Sequence, residues 1–186
     1  MNTDSVTLFL ALLAIVAQLS VAAAAILWVA GKVSPAWRAA ADVALSQVGP
    51  YAISFAATVA AVAMAGSLYL SEVANFPPCK LCWYQRIAMY PLVPILGLAA
   101  WRRDAAVRVY VLPIVVLGGL ISTYHMALER FPSLETGACD PNNPCSLIWV
   151  ERFGYLTIPT MALSAFALVA TLMLVAGRWE RAGDRG

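Results

Sequence analysis

The chain of 186 residues contains four cysteines, and they fall in two short pairs. Cys79 and Cys82 form a C-x-x-C sequence, whereas Cys139 and Cys145 flank five residues, DPNNP, that all favour turns. Because turn formers bring the ends of a segment together, each pair can meet the distance limits of a disulfide. Two such pairs fit thiol–disulfide exchange, in which a thiolate attacks a disulfide through a mixed-disulfide intermediate.

The C-x-x-C sequence lies where a polar stretch meets an apolar one, in PPCKLCWYQRIAMYPL, residues 77–92. Pro78 suits the start of a helix, which puts Cys82 in the first helical turn. A helix N-terminus or a nearby cation lowers the pKa of a thiol and so favours the reactive thiolate. Arg86 follows Cys82 by four residues and lies on the same helical face. A cation at this depth indicates a polar partner or ligand, or else a side chain that snorkels to the headgroups.

His125, the single histidine, lies near one end of a later apolar run, in STYHMALER. Its expected membrane depth matches that of Arg86. Two ionisable side chains at one level beside a C-x-x-C favour a site for a lipid-soluble molecule with a polar head. The alternative is that His125 is only a polar group satisfied within the protein.

The composition indicates that membrane helices position these residues. The chain is 62% hydrophobic and 12% charged, whereas soluble domains are about 45–50% apolar and about 25% charged. Five apolar runs approach the roughly 20 residues that a spanning helix needs, and they cover residues 6–31, 51–71, 83–101, 109–128 and 156–177. The sequence therefore predicts an all-α polytopic membrane helix bundle. The first run lacks the basic start and the short apolar core of a signal peptide, so a retained helix is expected.

The basic residues predict which side faces the cytoplasm. Segments 32–50, 102–108 and 178–186 share one side of the membrane and hold eight of the twelve basic residues: Lys32, Arg38, Arg102, Arg103, Arg108, Arg178, Arg181 and Arg185. Positive charge accumulates on cytoplasmic loops. The N-terminus and all four cysteines are therefore expected outside the cytoplasm, where disulfides persist.

Two non-catalytic interpretations of the cysteines remain possible from the sequence alone. The four thiols can form two structural disulfides that only brace the outer loops. They can also form one zinc site of four thiolates, although such a site would compete with disulfide formation.

Three sequence stretches resemble the DsbB family of membrane thiol:quinone oxidoreductases. They are CKLCWYQRIAMYPL, the helix ending in YHMALE, and CDPNNPC. The short spacing of the second pair is most similar to the BdbC branch from Gram-positive bacteria. The resemblance covers about residues 51–177, which would be a four-helix oxidoreductase domain. Residues 1–50, a helix and a cytoplasmic linker, depart from the family pattern, and residues 178–186 would be a cytoplasmic tail.

The resemblance implies a relay of electrons through both pairs. A reduced thioredoxin-fold oxidase, similar to DsbA or BdbD, would attack the Cys139–Cys145 disulfide at Cys139. The freed Cys145 would attack Cys79, and Cys82 would leave as a thiolate.

The resemblance also implies a quinone, menaquinone or ubiquinone, as the acceptor of electrons from Cys82. Arg86 and His125 would line the quinone site. Two other functions compete with this one. Vitamin K epoxide reductase-like proteins also join a C-x-x-C to quinones, but their loop pair typically comes first in the chain. The third possibility is a non-catalytic membrane protein with structural disulfides.

Overall fold

The computed structural model describes residues 2–135, 137, 139–140 and 142–183. Arg185, which contributed to the predicted orientation, lies outside them. The described chain forms seven α-helices, namely α1 (Thr3–Val33), α2 (Pro35–Val48), α3 (Ala52–Leu68), α4 (Lys80–Met89), α5 (Leu92–Arg102), α6 (Arg108–Arg130) and α7 (Ile158–Gly183). A π-helical turn, Tyr69–Val73, follows α3. Strands β1 (Glu151–Arg152) and β2 (Leu156–Thr157) pair antiparallel just before α7.

Four continuous helical stretches are long and apolar enough to cross a membrane. They are Thr3–Val33, Pro35–Val73, Ala105–Arg130 and Ile158–Gly183. The predicted all-α polytopic membrane bundle is confirmed, because helices satisfy every backbone group internally where lipid offers no partner.

The third predicted span, residues 83–101, is not one helix but two. Helix α4 ends at Met89, and α5 begins at Leu92 after a turn at Tyr90 and Pro91. Tyr90 and Pro91 keep helical backbone angles. Proline lacks a backbone N–H and its ring clashes with the carbonyl of the residue four positions earlier, so the helical hydrogen bonds are interrupted at Pro91.

Small residues allow the central helices to pack closely. Ala52, Ala56 and Ala60 recur every four residues along α3 and are fully buried against neighbouring helices. Between α6 and α7, Gly118 faces the ring of Phe166, and a Cβ there would lie 2.4 Å from the ring atoms. Close packing of small residues is what joins helices in lipid, where apolar burial alone gives no net gain.

Helix α1 lies along α7 and runs in the same direction. At the start of both helices, the guanidinium of Arg152 pairs with Asp4 at 2.5 Å. At the other end, the guanidinium of Arg178 lies 5.8 Å from the ring centroid of Trp28. The N-terminal helix is therefore an integral element of the bundle.

The predicted linker at 32–50 is mostly helical. Only Ser34 separates α1 from α2, which begins with Pro35 at its first position, where its missing N–H costs nothing. None of the α2 residues is buried. Helix α7 continues to Gly183, so the predicted tail at 178–186 starts as helix.

The segment between α6 and α7 carries the second cysteine pair in the expected turn. The Asp140 carboxylate accepts a hydrogen bond from the Asn142 N–H at 2.8 Å, and its carbonyl accepts one from the Asn143 N–H at 3.0 Å. The Asn143 side-chain amide donates to the Pro78 carbonyl at 3.2 Å. The turn is therefore tied directly to the segment that holds the first pair.

Candidate active site

The two cysteine pairs are found in different redox states. Cys139 and Cys145 form a disulfide with their Cα atoms 5.9 Å apart, and both residues are buried. Cys79 and Cys82 are free thiols whose sulfur atoms lie 2.9 Å apart. Residues 79, 139 and 145 pack in one apolar cluster with Leu128 of α6, so the two pairs share one site.

The first cysteine pair lies at the N-terminus of α4, which positions both sulfur atoms. Cys79 is the N-cap, with extended backbone, and its sulfur accepts a hydrogen bond from the Cys82 N–H at 3.4 Å. The sulfur takes the place of the side-chain oxygen that usually satisfies this orphan donor. Cys82 lies in the first turn, as the sequence predicted.

Cys79, which lies outside the membrane-spanning helices, is the thiol that this geometry favours as thiolate. The hydrogen bond from the Cys82 thiol lowers the pKa of Cys79 well below its ordinary value. Burial opposes the shift, and His125 adds to it. The thiolate is therefore favoured on Cys79 rather than on Cys82.

His125 lies between the two pairs. Its Nε2 is 3.7 Å from the Cys79 sulfur and 3.0 Å from the Cys145 carbonyl oxygen. The Gln85 amide nitrogen lies 3.2 Å from Nδ1. With Gln85 donating to Nδ1, the imidazole proton lies on Nε2 and faces the thiolate and the carbonyl. One buried ring thereby connects α4 to the second pair.

A cavity of about 360 Å³ lies on the other side of Cys82. It is bounded by α1, α3, α4 and α7, and nearly all of its lining is apolar. The polar side chains that reach it from α4 include Cys82, Gln85 and Arg86. Its volume falls within the range of sites for small molecules and cofactors, roughly 300–1,000 Å³.

Arg86 is buried at the wall of this cavity and does not snorkel to the surface. Its side chain donates a hydrogen bond to the Ser67 carbonyl at 3.0 Å, and the guanidinium lies 5.3 Å from the Trp83 ring centroid. Within the described ranges it forms no ion pair with a carboxylate. A buried guanidinium has five N–H donors, so this one retains donors for a ligand oxygen.

Arg86 and His125, which the resemblance places together at a quinone site, border different spaces in this structure. His125 is absent from the lining of the large cavity and instead borders a small pocket with Cys79, Cys82 and Glu129. Helical periodicity of α4 accounts for this: Gln85 contacts His125 of α6 and also reaches the large cavity, while Arg86, one residue later, contacts Ser67 of α3. Cys82 lines both spaces and separates them.

Two residues of the site were not singled out from the sequence. Gln85 orients the imidazole of His125, and Glu129 accepts a hydrogen bond from the Thr157 hydroxyl at 2.6 Å beside the same pocket. Their spacing could have indicated them. Gln85 follows Cys82 by three residues and Glu129 follows His125 by four, so each lies on the same helical face as a predicted site residue.

The four-thiolate zinc site is not formed in this structure, because Cys139 and Cys145 are bonded to each other. The ligand atoms of Cys79, Cys82 and His125 do lie within 4.8 Å of one another, which is close enough for a metal ion. The same atoms are hydrogen-bonded in a way that suits exchange, since the Cys79 sulfur contacts both Cys82 and His125.

Comparisons with known proteins identify relatives for most of the chain. The family described as "Disulfide bond formation protein DsbB" matches residues 50–176. "Disulfide bond formation protein C" of Bacillus subtilis (strain 168) is 47% identical over 116 residues, covering 62% of this chain and 84% of the relative. A "Probable disulfide formation protein" of Coxiella burnetii (strain RSA 493 / Nine Mile phase I) is 41% identical over 128 residues, covering 68% and 87%.

No solved structure matches the chain. The family match spans α3 to the greater part of α7 and includes both cysteine pairs, Arg86 and His125. The four membrane-crossing stretches agree with a multi-pass membrane protein. The chain belongs to the DsbB family of disulfide bond formation proteins.

Proposed function

We propose that the chain is a membrane thiol:quinone oxidoreductase that reoxidises an extracytoplasmic thioredoxin-fold thiol oxidase. The observation that carries this proposal is the position of Cys82. Its sulfur lies 2.9 Å from that of Cys79, and its side chain also lines the apolar cavity beside Arg86. One atom is thus in contact with the exchange site and with a space suited to a lipid-soluble acceptor.

The first half of the reaction is thiol–disulfide exchange. A partner thiolate attacks Cys139, the Cys139–Cys145 bond breaks, and Cys145 leaves as a thiolate. Cys145 then attacks Cys79 of an oxidised first pair, and Cys82 leaves with the electron pair. The partner's second thiolate then breaks its bond to Cys139 and leaves as a disulfide. The freed Cys139 thiolate attacks Cys145, which restores the Cys139–Cys145 bond and releases Cys79 as a thiolate. One disulfide, between Cys139 and Cys145, and two free cysteines, Cys79 and Cys82, are compatible with the end of this half-reaction.

His125 supports this exchange by its contacts. Its Nε2 proton faces both the Cys79 sulfur and the Cys145 carbonyl, so it stabilises negative charge on Cys79 and holds the second pair beside the first. Gln85 fixes the ring orientation. The hydrogen bond from Asn143 to the Pro78 carbonyl keeps the turn close, so exchange needs only a short movement of the loop.

The second half returns the first pair to a disulfide. A quinone, when bound, accepts two electrons and two protons and becomes a quinol. Cys79 and Cys82 supply both electrons as their S–S bond forms. The proton held by Cys82 is released, and the second proton that the quinol needs comes from solvent. Arg86 would donate a hydrogen bond to the acceptor oxygen, where negative charge develops. The apolar walls exclude water from this contact.

The orientation of the site relative to the membrane is part of the proposal. All four cysteines lie at the end of the bundle where Asp4 meets Arg152, whereas Trp28 and Arg178 lie at the opposite end. The excess of basic residues at the latter end supports a cytoplasmic location for it. The cysteines would then be outside the cytoplasm, where a secreted oxidase can reach them.

The test combines two variants of the full-length chain in lipid nanodiscs. With a reduced thioredoxin-fold oxidase and decylubiquinone, the wild-type chain should reduce the quinone, measured by its absorbance. Cys82→Ser should lose this activity by a factor of at least about 10³, since a hydroxyl cannot form the disulfide. Cys145→Ala should accumulate a mixed disulfide between Cys139 and the partner. Undiminished quinone reduction by Cys82→Ser would exclude the mechanism.

A further inference from the structure

Helix α1 contributes one wall of the cavity, although it lies outside the part of the chain that matches the family. The match begins at residue 50, whereas Leu10, Leu13, Ala14, Val16 and Ala17 of α1 all line the cavity. The facing walls belong to α3, α4 and α7. The space beside Cys82 is thus completed by an element that the four-helix core does not include.

Specific contacts hold α1 in this position on both sides of the cavity. On the α7 side, the Gln18 amide donates to the Ser164 hydroxyl at 2.9 Å. On the α3 side, the side chain of Leu10 lies against Gly66, where a Cβ would come within 2.8 Å of it. Because both contacts depend on these side-chain types, the sequence encodes the placement of α1 over the cavity.

The cavity opens sideways between α1 and α3. Val16 of α1 is 58% exposed and Val62 of α3 is 36% exposed, yet both line the cavity. Side chains that are exposed and also line a cavity mark its rim. In a membrane, the surface outside this rim is lipid, so a hydrophobic molecule can pass from the bilayer toward Cys82 without crossing water.

We propose that α1 is part of the acceptor site, where it holds the apolar tail of the quinone at the lateral opening. This inference rests on the proposed function. A quinone has a polar head and a long hydrocarbon tail, and the cavity has the same polarity pattern, with Arg86 beside Cys82 and branched apolar side chains at the rim. The head is bound by the part of the chain that matches the family, and the tail is bound in part by a helix outside that match.

A matched pair of valines on α1 tests this role. Val16 and Val29 are 58% and 55% exposed, but only Val16 lines the cavity. Val16→Trp should narrow the opening and reduce the quinone retained by the purified protein, extracted and quantified, by at least about tenfold. Val29→Trp should retain as much as the wild type. Exchange between the reduced partner and the second pair, measured without quinone, should be unchanged in both variants.

A second measurement covers the case in which Val16→Trp does not fold. A photoreactive quinone analogue bound to the wild-type chain should label residues 10–17, and excess decylubiquinone should prevent this labelling. Labelling confined to α3, α4 and α7, or equal quinone retention by folded Val16→Trp and Val29→Trp, would overturn the role of α1. If the wild-type chain neither binds nor reduces quinone, the proposed function itself fails.

Discussion

The two sides of α4 differ in both chemistry and neighbours. The side facing α6 holds Gln85 and the imidazole of His125 against the cysteine pairs, and it is compact and hydrogen-bonded. The side facing α3 holds Arg86 at the wall of an open apolar cavity. Cys82 is in contact with both. Under the proposed function, this arrangement would let a protein partner and a lipid-soluble acceptor react with one pair of sulfurs without occupying the same space.

If the two sides are functionally separate, a change at Arg86 should affect only the acceptor half. Arg86→Gln removes the charged donor at the cavity wall, and a hydrogen bond to a charged group contributes about 1.5–3 kcal/mol. We expect the KM for decylubiquinone to rise roughly 10- to 100-fold, measured by steady-state quinone reduction. Arg86→Lys, which keeps the charge, should raise this KM by a smaller factor.

The control for Arg86→Gln is the rate of thiol exchange with the reduced partner in the absence of quinone. This rate should equal that of the wild type, because Arg86 does not contact Cys79. An equal loss of quinone reduction and of thiol exchange would show that the two sides of α4 are coupled.

The side of α4 that faces α6 is tested by the pH dependence of Cys79 alkylation, which reports the pKa of this thiol. An ordinary cysteine loses its reactive thiolate as the pH falls below about 8.5. Because the pKa of Cys79 is lowered, its thiolate should persist and react with iodoacetamide well below that pH. Cys82→Ala removes the largest cause of the shift, so the inflection should move to higher pH. His125→Asn should move it in the same direction by less.

The matched reference for Cys79 is a cysteine introduced at an exposed position of the loop, as in Ser133→Cys. Its alkylation should show the pH dependence of an ordinary cysteine. An inflection for Cys79 that coincides with this reference would contradict the assignment of the thiolate. Quinone binding should be unaffected by His125→Asn, because His125 does not line the cavity. A large loss of bound quinone in that variant would place His125 on the acceptor side after all.

The smallest expected effect concerns Tyr90, where α4 ends. Its ring lines the cavity, but its hydroxyl is buried and has no hydrogen-bond partner in the described part of the chain. Removing an unsatisfied buried hydroxyl lowers a desolvation cost of about 1–3 kcal/mol. Tyr90→Phe should therefore stabilise the protein by about 1 kcal/mol, measured by unfolding in mixed micelles.

Tyr84→Phe is the control for Tyr90→Phe, since Tyr84 is on the same helix and is exposed. It should leave stability unchanged. A destabilised Tyr90→Phe would mean that the hydroxyl has a partner, and a loss of bound quinone would make that partner the acceptor.

The sequence predicted the elements well where local chemistry decides them. Long apolar runs form helices because lipid cannot satisfy the backbone, and four continuous stretches have this character. Pro78 and Cys79 start α4 at the predicted place, and the DPNNP turn brings Cys139 and Cys145 together. The single apolar run at residues 83–101 did not predict the break at Pro91, which separates α4 from α5.

The sequence could not predict how the site is divided. Arg86 and His125 have similar depths, so depth alone grouped them, yet they lie on opposite sides of Cys82. The assignment depends on which neighbour each face of α4 meets, and that is a property of helix packing. Helix packing also decides the position of α1, because its apolar residues could face lipid as readily as they line the cavity.

The residue types alone determined that the chain is a membrane helix bundle with two cysteine pairs near one membrane surface. Hydrophobic length, turn formers and a helix start act over a few residues, so they can be read without a fold. Only the tertiary structure decided that Cys82 borders two spaces, that His125 lies between the two cysteine pairs, and that α1 forms one wall of the cavity. These facts depend on contacts between residues distant in sequence, such as Gln18 with Ser164 and His125 with Cys79. Helix periodicity fixes which residues share a face, but packing fixes what that face meets.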